Sequence, residues 1–237
     1  MIEGTDLIDA ALESGAEFEA LYVDRASVGD RQVAALLSRA DRAGVSIFSL
    51  DAGVFENVAD AKSPQPVLAA VRFTVGTLAD VGAQGLVLVL DNVRDPGNAG
   101  TIIRSADAAG AAAVVLTGDS VDPFNPKTLR ASAGSVFHLL LVVAALDETL
   151  SHFRALGVRS YATVVHGGTP FRRADLSGPC VVVIGNESSG LDDATVSWCD
   201  EKMTIPMAGR AESLNAGVAA SLIAFEALSQ RSDTTTA

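Results

Sequence analysis

The sequence predicts an α/β protein with two domains, in each of which strands alternate with helices. At roughly 150 residues per domain, its 237 residues allow one large domain or two modest ones. Hydrophobic residues make up 49% of the chain but aromatic residues only 5%, so the core must consist mainly of Ala, Val, Leu and Ile, as in parallel sheets. Short apolar runs separated by segments of helical periodicity are typical of βαβ units.

The first domain is predicted to be a small α/β module over residues 1–75. Two amphipathic helices each lead to an apolar run, and a third apolar run follows. The predicted strands are residues 18–23, 45–50 and 67–73. Residues 76–84 show little periodicity, so we interpret them as a linker.

The second domain is predicted over residues 85–237 and contains six short apolar runs. These predicted strands are residues 86–90, 113–116, 139–143, 160–165, 181–184 and 202–205. Helical patterns separate most of them, which indicates a parallel sheet whose ligands lie beyond the carboxyl ends of the strands. The last helix runs through Leu228, and small residues such as Ala220 give it a narrow surface on which another backbone can pack closely.

The formal charge of −12 argues against a partner held by bulk electrostatics, because nucleic-acid binders usually have a basic face. The charge is distributed unevenly. Residues 1–80 carry 13 acidic and 6 basic side chains, whereas residues 81–237 carry 16 and 11. The second part is nearly twice as long as the first, so its density of negative charge is far lower.

No targeting or metal-binding segment is expected. The longest apolar stretch, residues 136–146, is shorter than the roughly 20 residues that span a bilayer, and Glu3 and Asp6 replace the basic start of a signal peptide. We therefore expect a cytoplasmic protein without a membrane segment. The three histidines and two cysteines lack the spacings of metal ligands, so no metal site is expected.

The loop after the first strand of the second domain is the first candidate site. Asn98 is well placed to cap the helix that follows. Gly100 and Arg104 are four residues apart and therefore share a helix face, which can hold a phosphate or ribose closely. A capped helix with a solvated arginine is an equally good interpretation of this loop alone.

Two further loops follow strands of the same sheet. Residues 185–191 form a glycine-bounded turn that lacks the lysine of a Walker A site, and Glu187 is its one ionisable side chain. Taken alone, this loop is better explained as a plain turn with a solvated glutamate. Residues 205–218 lead into the last helix, and Ser213 is favoured as its N-cap.

Together, the three loops resemble the motifs of the SpoU (TrmH-like) branch of the SPOUT RNA methyltransferases. Residues 98–104 resemble its N-x-G-x-x-x-R element, residues 185–191 its G-N-E-x-x-G-L element, and residues 205–215 its I-P-M…E-S-L-N element. Residues 1–73 resemble, more loosely, the L30e-like substrate-binding domain that often precedes it. Ser188 departs from the usual glycine, and the basic segment expected before Glu3 is absent, so the chain is either naturally short or starts upstream.

The resemblance implies transfer of a methyl group from S-adenosylmethionine to a ribose 2′-hydroxyl of RNA, with 23S rRNA favoured. It also implies a trefoil knot and a homodimer through the C-terminal domain, which fits the narrow surface of the last helix. The implied cofactor-binding residues are Thr163, Gly185, Ile205 and Leu214. The implied catalytic residues are Asn98, Arg104, Glu187, Ser213 and Asn215.

Several alternatives remain open at this stage. The substrate is alternatively tRNA, or the chain is a non-catalytic RNA-binding protein of the same fold; a nicotinamide enzyme is disfavoured by the missing glycine fingerprint. Arg104 acts either as a base or, as we favour because a guanidinium stays protonated, as a stabiliser of the forming alkoxide. Glu187 is expected to fix Arg104 or the substrate. Lys127 and Arg130 lie near a helix start and suit phosphate contact and a solvated face equally well.

Overall fold

The computed structural model describes residues 1–58 and 64–235 and divides into two compact units. Unit 1 comprises Met1–Thr74 together with Ala133–His138, and unit 2 comprises Val75–Ser132 together with Leu139–Ala237. The short segment Ala133–His138 thus belongs to unit 1 although the second predicted domain surrounds it in the sequence. The division into a substrate-binding domain (residues 1–75), a linker (76–84) and a methyltransferase domain (85–237) stays a prediction.

The described residues of unit 1 form a four-stranded mixed sheet with three α-helices. Its strands are β1 (Ile2–Glu3), β2 (Phe18–Asp24), β3 (Ile47–Leu50) and β4 (Val67–Val71). Its helices are α1 (Thr5–Glu13), α2 (Arg31–Arg42) and α3 (Ala52–Val58). The strand order is β1-β4-β2-β3, with β2 parallel to β3 and antiparallel to β4. Strands lie at all three predicted positions, while β1 and α3 come in addition.

Local sequence explains how unit 1 forms its core and leaves an aromatic surface. Asp30 caps α2 by accepting the backbone N–H groups of Gln32 and Val33. Val33 is buried on the inner face of that helix. On the sheet, Phe48 stacks on Tyr22 with 5.8 Å between ring centroids, yet 51% of Phe48 stays exposed.

Unit 2 contains a seven-stranded parallel sheet in the order β7-β6-β5-β10-β8-β11-β9. Its strands are β5 (Leu86–Asp91), β6 (Ala113–Thr117), β7 (Leu140–Val143), β8 (Arg159–Thr163), β9 (Thr169–Pro170), β10 (Cys180–Ile184) and β11 (Glu201–Thr204). Six of them lie at the predicted positions. Because the sheet is parallel, the loops that follow β5, β10 and β11 leave from the same edge, which brings the three sequence motifs together.

The interior of unit 2 is aliphatic, as the composition predicts. Every residue of β5, β6 and β10 is buried, so these strands are covered on both faces. Two residues of the predicted linker, Leu78 and Val81, are also buried in this core beside Val87 and Val115. At least part of residues 76–84 therefore packs as an integral element of unit 2.

Five helices accompany the sheet of unit 2. They are α4 (Pro96–Ala108), α5 (Pro126–Ser132), α6 (Leu146–Ala155), α7 (Asp193–Trp198) and α8 (Ala216–Thr235). Helix α4 packs against both α5 and α8. At Gly217 a Cβ would lie 3.1 Å from Thr101, and the hydroxyls of Ser105 and Ser221 share a hydrogen bond of 2.7 Å. Small residues therefore let α8 approach α4 closely.

This packing corrects the interpretation of the last helix. Its narrow surface is occupied by the same chain, because Ala220 and Ala224 are fully buried. Ile223 is buried as well, but the other large apolar side chains of α8 point away from this contact. They are partly exposed, at 36–49%, and comprise Val218, Leu222, Phe225 and Leu228. No helix within residues 1–58 and 64–235 is long and apolar enough to cross a membrane.

Candidate active site

The loop after β5 positions Asn98 inside a helix. Asp95, directly before Pro96, caps α4 by accepting the backbone N–H of Asn98 at 2.8 Å. The prediction that Asn98 is the cap is therefore wrong by one turn, and the signal for the true cap is an acceptor directly before a proline at the first helical position. Because Asp95 already accepts a free backbone N–H group at the start of α4, the Asn98 side chain is not needed as a cap and is available for tertiary contacts.

The loop after β10 is held by its own backbone and by Asn186. A Cβ at Gly185 would lie 2.5 Å from the carbonyl carbon of Gly190, so only glycine fits where the loop folds back. The Asn186 Oδ1 accepts the backbone N–H groups of Ser188 and Ser189, at 2.9 and 3.2 Å. Its Nδ2 donates to the carbonyl of Asn92 at 2.8 Å, which ties this loop to the loop after β5. The sequence analysis did not single out Asn186.

The loop after β11 is irregular until α8 begins at Ala216. Asn215 Oδ1 accepts the N–H of Val218 at 3.2 Å, and the Asn215 carbonyl accepts the N–H of Ala219 at 2.9 Å. Asn215 is therefore the residue that caps α8, and the favoured assignment of Ser213 as N-cap is wrong. Ser213 is exposed two residues earlier in the loop.

A chain of hydrogen bonds joins the three loops. Asn215 Nδ2 donates to Asn98 Oδ1 at 2.7 Å, and Asn98 Nδ2 donates to Glu187 Oε1 at 2.9 Å. Glu187 also accepts the backbone N–H groups of Arg94 and Asp95, at 3.4 and 3.3 Å. Because a carboxylate only accepts, it fixes the orientation of the Asn98 amide, whose oxygen then faces Asn215. Three of the five predicted catalytic residues are thus in direct contact.

Next to this chain of hydrogen bonds lies a cleft of about 800 Å³. All four predicted cofactor-binding residues line it: Thr163, Gly185, Ile205 and Leu214. Glu187 and Ser213 line it as well. Thr163 Oγ1 donates to the carbonyl of Val183 at 2.8 Å, so this hydroxyl is already engaged within the sheet.

The cleft suits a nucleoside-containing ligand. Its volume falls within the range of small-molecule sites, and Ile184, Met203 and Ile223 give it an apolar wall. The loops on either side of Gly185 and Ile205 offer backbone groups at the carboxyl ends of parallel strands, where such ligands bind. These features fit S-adenosylmethionine. His166 and Arg210 also line the cleft, and the sequence analysis assigned neither of them a role.

Arg104 stands apart from the other predicted catalytic residues. Its side chain is exposed, makes no hydrogen bond or ion pair within residues 1–58 and 64–235, and does not line the cleft. Glu187 therefore contacts Asn98 and the start of α4 instead of Arg104. The prediction that Gly100 opens a ligand surface beside Arg104 is also wrong. Gly100 is buried, and a Cβ there would lie 2.4 Å from the Cβ of Ala131 in α5.

The cysteines lie outside these contacts. Burial raises the pKa of both the Cys180 and the Cys199 thiol to about 11, so both are protonated at neutral pH. Protonated, at least partly buried thiols of this kind serve as packing residues. Among the described residues, no group of three or more His, Cys, Asp or Glu side chains is arranged to hold a metal ion.

Comparison with known proteins defines the class of protein. Residues 85–225 match the model of the SpoU rRNA methylase family, and residues 1–74 match the RNA 2′-O ribose methyltransferase substrate-binding domain. The chain belongs to the SpoU rRNA methylase family. It is accordingly an enzyme that uses S-adenosylmethionine to methylate RNA at the ribose, and the resemblance of its motifs to this family is confirmed.

Individual relatives extend over most of the chain. The 23S rRNA (guanosine(2553)-2′-O)-methyltransferase RlmP of Bacillus subtilis (strain 168) is 35% identical over 227 residues, which cover 95% of this chain and 86% of the relative. A 23S rRNA (uridine(2479)-2′-O)-methyltransferase of Streptomyces viridochromogenes is 36% identical over 178 residues, 72% of this chain and 62% of the relative.

A solved structure supports the fold. The AdoMet-bound rRNA methyltransferase from Sinorhizobium meliloti superposes with a TM-score of 0.83 at 35% identity, covering 95% of this chain and 85% of that one. The predicted SPOUT fold of the C-terminal domain is thereby confirmed, and S-adenosylmethionine is the cofactor.

Proposed function

We propose that this enzyme methylates a ribose 2′-hydroxyl of 23S rRNA. The observation that carries the proposal is the hydrogen-bonded chain of Asn215, Asn98 and Glu187 beside a cleft of cofactor size. The relatives RlmP and the Streptomyces enzyme are both named for 23S rRNA but for different nucleotides, a guanosine and a uridine. The target nucleotide is therefore a property to be mapped for each enzyme.

In this proposal the residues that line the cleft hold the cofactor, and the hydrogen-bonded chain of Asn215, Asn98 and Glu187 orients the acceptor ribose. Thr163, Gly185, Ile205 and Leu214 contact the cofactor, mainly through backbone groups. When bound, S-adenosylmethionine supplies a methyl group attached to a positively charged sulfur, and the 2′-oxygen accepts this methyl group by in-line attack. Transfer of this kind depends on positioning and on stabilising the developing charge.

The polar side chains of the hydrogen-bonded chain, together with Ser213 and Arg104, supply this positioning and stabilisation. Asn98, held between Glu187 and Asn215, presents a fixed amide at the start of α4, and Ser213 adds a hydroxyl at the cleft. Arg104 provides a permanent positive charge for the 2′-oxygen, which becomes negative as its proton leaves for solvent.

We further propose a homodimer through α8, with Arg104 acting at the partner's site. The exposed apolar stripe formed by Val218, Leu222, Phe225 and Leu228 supports this surface, because an apolar row of this kind on a protein is usually covered. The separation of Arg104 from the cleft of its own chain supports the cross-subunit role. A trefoil knot around the cofactor cleft and a cytoplasmic location, where rRNA is modified, are part of the same proposal.

Residues 1–75 are assigned to RNA selection, 76–84 to linkage and 85–237 to methyl transfer. The match of residues 1–74 to the substrate-binding family supports this division. With its net negative charge, the first part suits recognition of unstacked bases better than broad contact with phosphates. Phe48, exposed and stacked on Tyr22, offers an aromatic surface of the kind on which bases stack.

The proposal is tested with tritiated S-adenosylmethionine and unmodified 23S rRNA or tRNA transcripts. We expect transfer to 23S rRNA, at one position that becomes resistant to alkaline hydrolysis because its 2′-oxygen is blocked. Transfer to tRNA alone would establish the alternative substrate, and no transfer to either RNA would contradict the proposal.

A further inference from the structure

The short helix α5 presents two basic side chains together on one exposed face. Lys127 and Arg130 are three residues apart and both are exposed, so they are neighbours on the helix surface. Thr128, Leu129 and Ser132 on the opposite face are buried. The Asn125 side chain accepts the backbone N–H of Lys127 at 2.9 Å and so fixes the first turn of the helix.

Neither charge is compensated within the described part of the chain. The Lys127 and Arg130 side chains have no hydrogen bond or ion pair there. Most other arginines of the chain are engaged by a carboxylate or a carbonyl. Those paired with carboxylates are Arg25, Arg39, Arg72, Arg94 and Arg159. In a protein of net charge −12, uncompensated basic side chains on one helix face form a distinct local surface.

This surface lies beside the helix that carries Arg104. A Cβ at Gly100 of α4 would lie 2.7 Å from the carbonyl oxygen of Thr128 and 2.4 Å from the Cβ of Ala131, so α4 and α5 are in backbone contact. Arg104 follows Gly100 by about one helical turn and is also exposed without a partner among the described residues. Three uncompensated cations therefore lie on two helices in direct contact.

We propose that Lys127 and Arg130 bind phosphates of the RNA backbone next to the ribose that is methylated. The inference rests on the proposed function and adds to it the place where the RNA backbone is held. Overall charge disfavours RNA, so contact with phosphates must be local, and these two side chains offer it close to Arg104. Such contacts position the RNA without reading its sequence.

The test compares two double variants with the same change in net charge. Lys127→Gln/Arg130→Gln removes the proposed contacts. Lys202→Gln/Arg173→Gln removes two other exposed cations, on β11 and just after β9, at the opposite end of the sheet from β6 and β7, which α5 connects. The dissociation constant for unmodified 23S rRNA transcribed in vitro is measured from 0.05 to 0.3 M salt, a range over which the Debye length falls by more than half.

For Lys127→Gln/Arg130→Gln we expect the salt slope of log K to fall by about 2 and the dissociation constant to rise about tenfold or more at 0.1 M salt. KM for RNA should rise while kcat at saturating RNA and the affinity for S-adenosylmethionine stay within about twofold. The charge-retaining variant Lys127→Arg/Arg130→Lys should restore the slope, which a merely structural role of α5 would not require.

An unchanged slope in Lys127→Gln/Arg130→Gln, or an equal loss in Lys202→Gln/Arg173→Gln, would overturn the inference. Failure of the proposed function has a different signature, because the wild-type enzyme would then transfer no methyl group to 23S rRNA at any salt concentration.

Discussion

At the scale of single residues, Arg104 and Asn98 illustrate two ways of placing a functional group. Asn98 is 8% exposed and is held by Glu187 and Asn215, so its amide is preorganised. Arg104 is exposed and held by no described residue, so its position depends on what binds there. A guanidinium keeps its proton at any pH in use, which suits it to stabilise negative charge and not to remove a proton.

Replacement of Arg104 by alanine should abolish methyl transfer while leaving the affinity for S-adenosylmethionine nearly intact. Arg104 does not line the cofactor cleft, so its loss removes charge stabilisation at the acceptor only. We expect kcat to fall by roughly 10³-fold, as for removal of a group that stabilises a developing negative charge. Titration calorimetry measures cofactor binding, and tritium incorporation into 23S rRNA measures transfer.

Arg173→Ala is the control for this variant, because Arg173 is also exposed and does not line the cofactor cleft. The control should retain activity. Near-normal turnover of Arg104→Ala would remove this residue from the mechanism.

At the scale of elements, the contact between α4 and α5 depends on Gly100. In Gly100→Ala the new methyl group would meet Ala131 and the backbone of Thr128 at less than 3 Å, and backbone cannot move aside cheaply. We expect the free energy of unfolding to fall by about 1–3 kcal/mol, the usual cost of overpacking. Urea denaturation followed by circular dichroism measures the change.

Gly82→Ala is the matched control, since a Cβ at Gly82 would meet no atom within 4 Å. Its stability should match that of wild type within about 0.5 kcal/mol. Equal stability of Gly100→Ala and wild type would show that α4 and α5 are less closely packed than described.

Elements were predictable from the sequence to the extent that local patterns determine them. Buried parallel strands such as β5 and β10 are continuous apolar runs, and such runs are visible without knowing the fold. The orientation of α8 was not predictable in this way. Ala220 and Ala224 are buried where α8 packs closely on α4, whereas four larger apolar side chains of α8 remain partly exposed. Periodicity alone cannot tell which face of a helix has a partner.

The candidate site was predictable only through its motifs. The contacts at the site join residues that are far apart in the sequence. Asn98 is 89 residues from Glu187 and 117 residues from Asn215, so no local spacing indicates that they touch. Asp95 and Asn186 show the limits of this approach. Both hold the loops together through bonds to backbone groups, and the sequence analysis assigned neither of them a role, although Asn186 is a fixed position of the G-N-E-x-x-G-L element.

The exposed stripe of α8 makes the proposed dimer testable. Leu222→Arg places a charge in the middle of the apolar row, and an unpaired charge buried at an interface should weaken association by about 3 kcal/mol. Sedimentation velocity at micromolar concentration should then show a dimer for wild type and a shift towards monomer for the variant.

Leu156→Arg provides the comparison, because Leu156 is 44% exposed at the end of α6 and lies outside the stripe. It should leave the dimer intact. A wild-type enzyme that is monomeric and fully active would contradict both the dimer and the cross-subunit role of Arg104.

At the scale of the whole molecule, charge separates two modes of RNA contact. The basic surface on α5 belongs to unit 2, whereas residues 1–80 carry a net charge of −7. Deletion of residues 1–74 is a poor test of this separation. Unit 1 includes Ala133–His138, and Phe137 stacks on Phe73 at 5.2 Å, so deletion would also remove the packing of a segment that remains.

A single substitution on the surface of unit 1 avoids this difficulty. Phe48→Ala removes an aromatic ring that is 51% exposed, so the fold should lose little stability. If residues 1–75 select RNA by stacking on bases, affinity for 23S rRNA should fall by about 2 kcal/mol, roughly thirtyfold. The salt slope should stay unchanged because no phosphate contact is lost, in contrast to the loss expected for the α5 variants.

Val54→Ala is the control, since Val54 is an equally exposed apolar residue of the same unit without a ring for bases to stack on. Fluorescence anisotropy with labelled rRNA, measured over a salt series, gives both affinity and slope for each variant. Unchanged affinity of Phe48→Ala would show that this ring contributes nothing to RNA selection. A loss of affinity accompanied by a smaller slope would instead mean that the substitution disturbs phosphate contacts, and recognition by stacking in unit 1 would have to be abandoned.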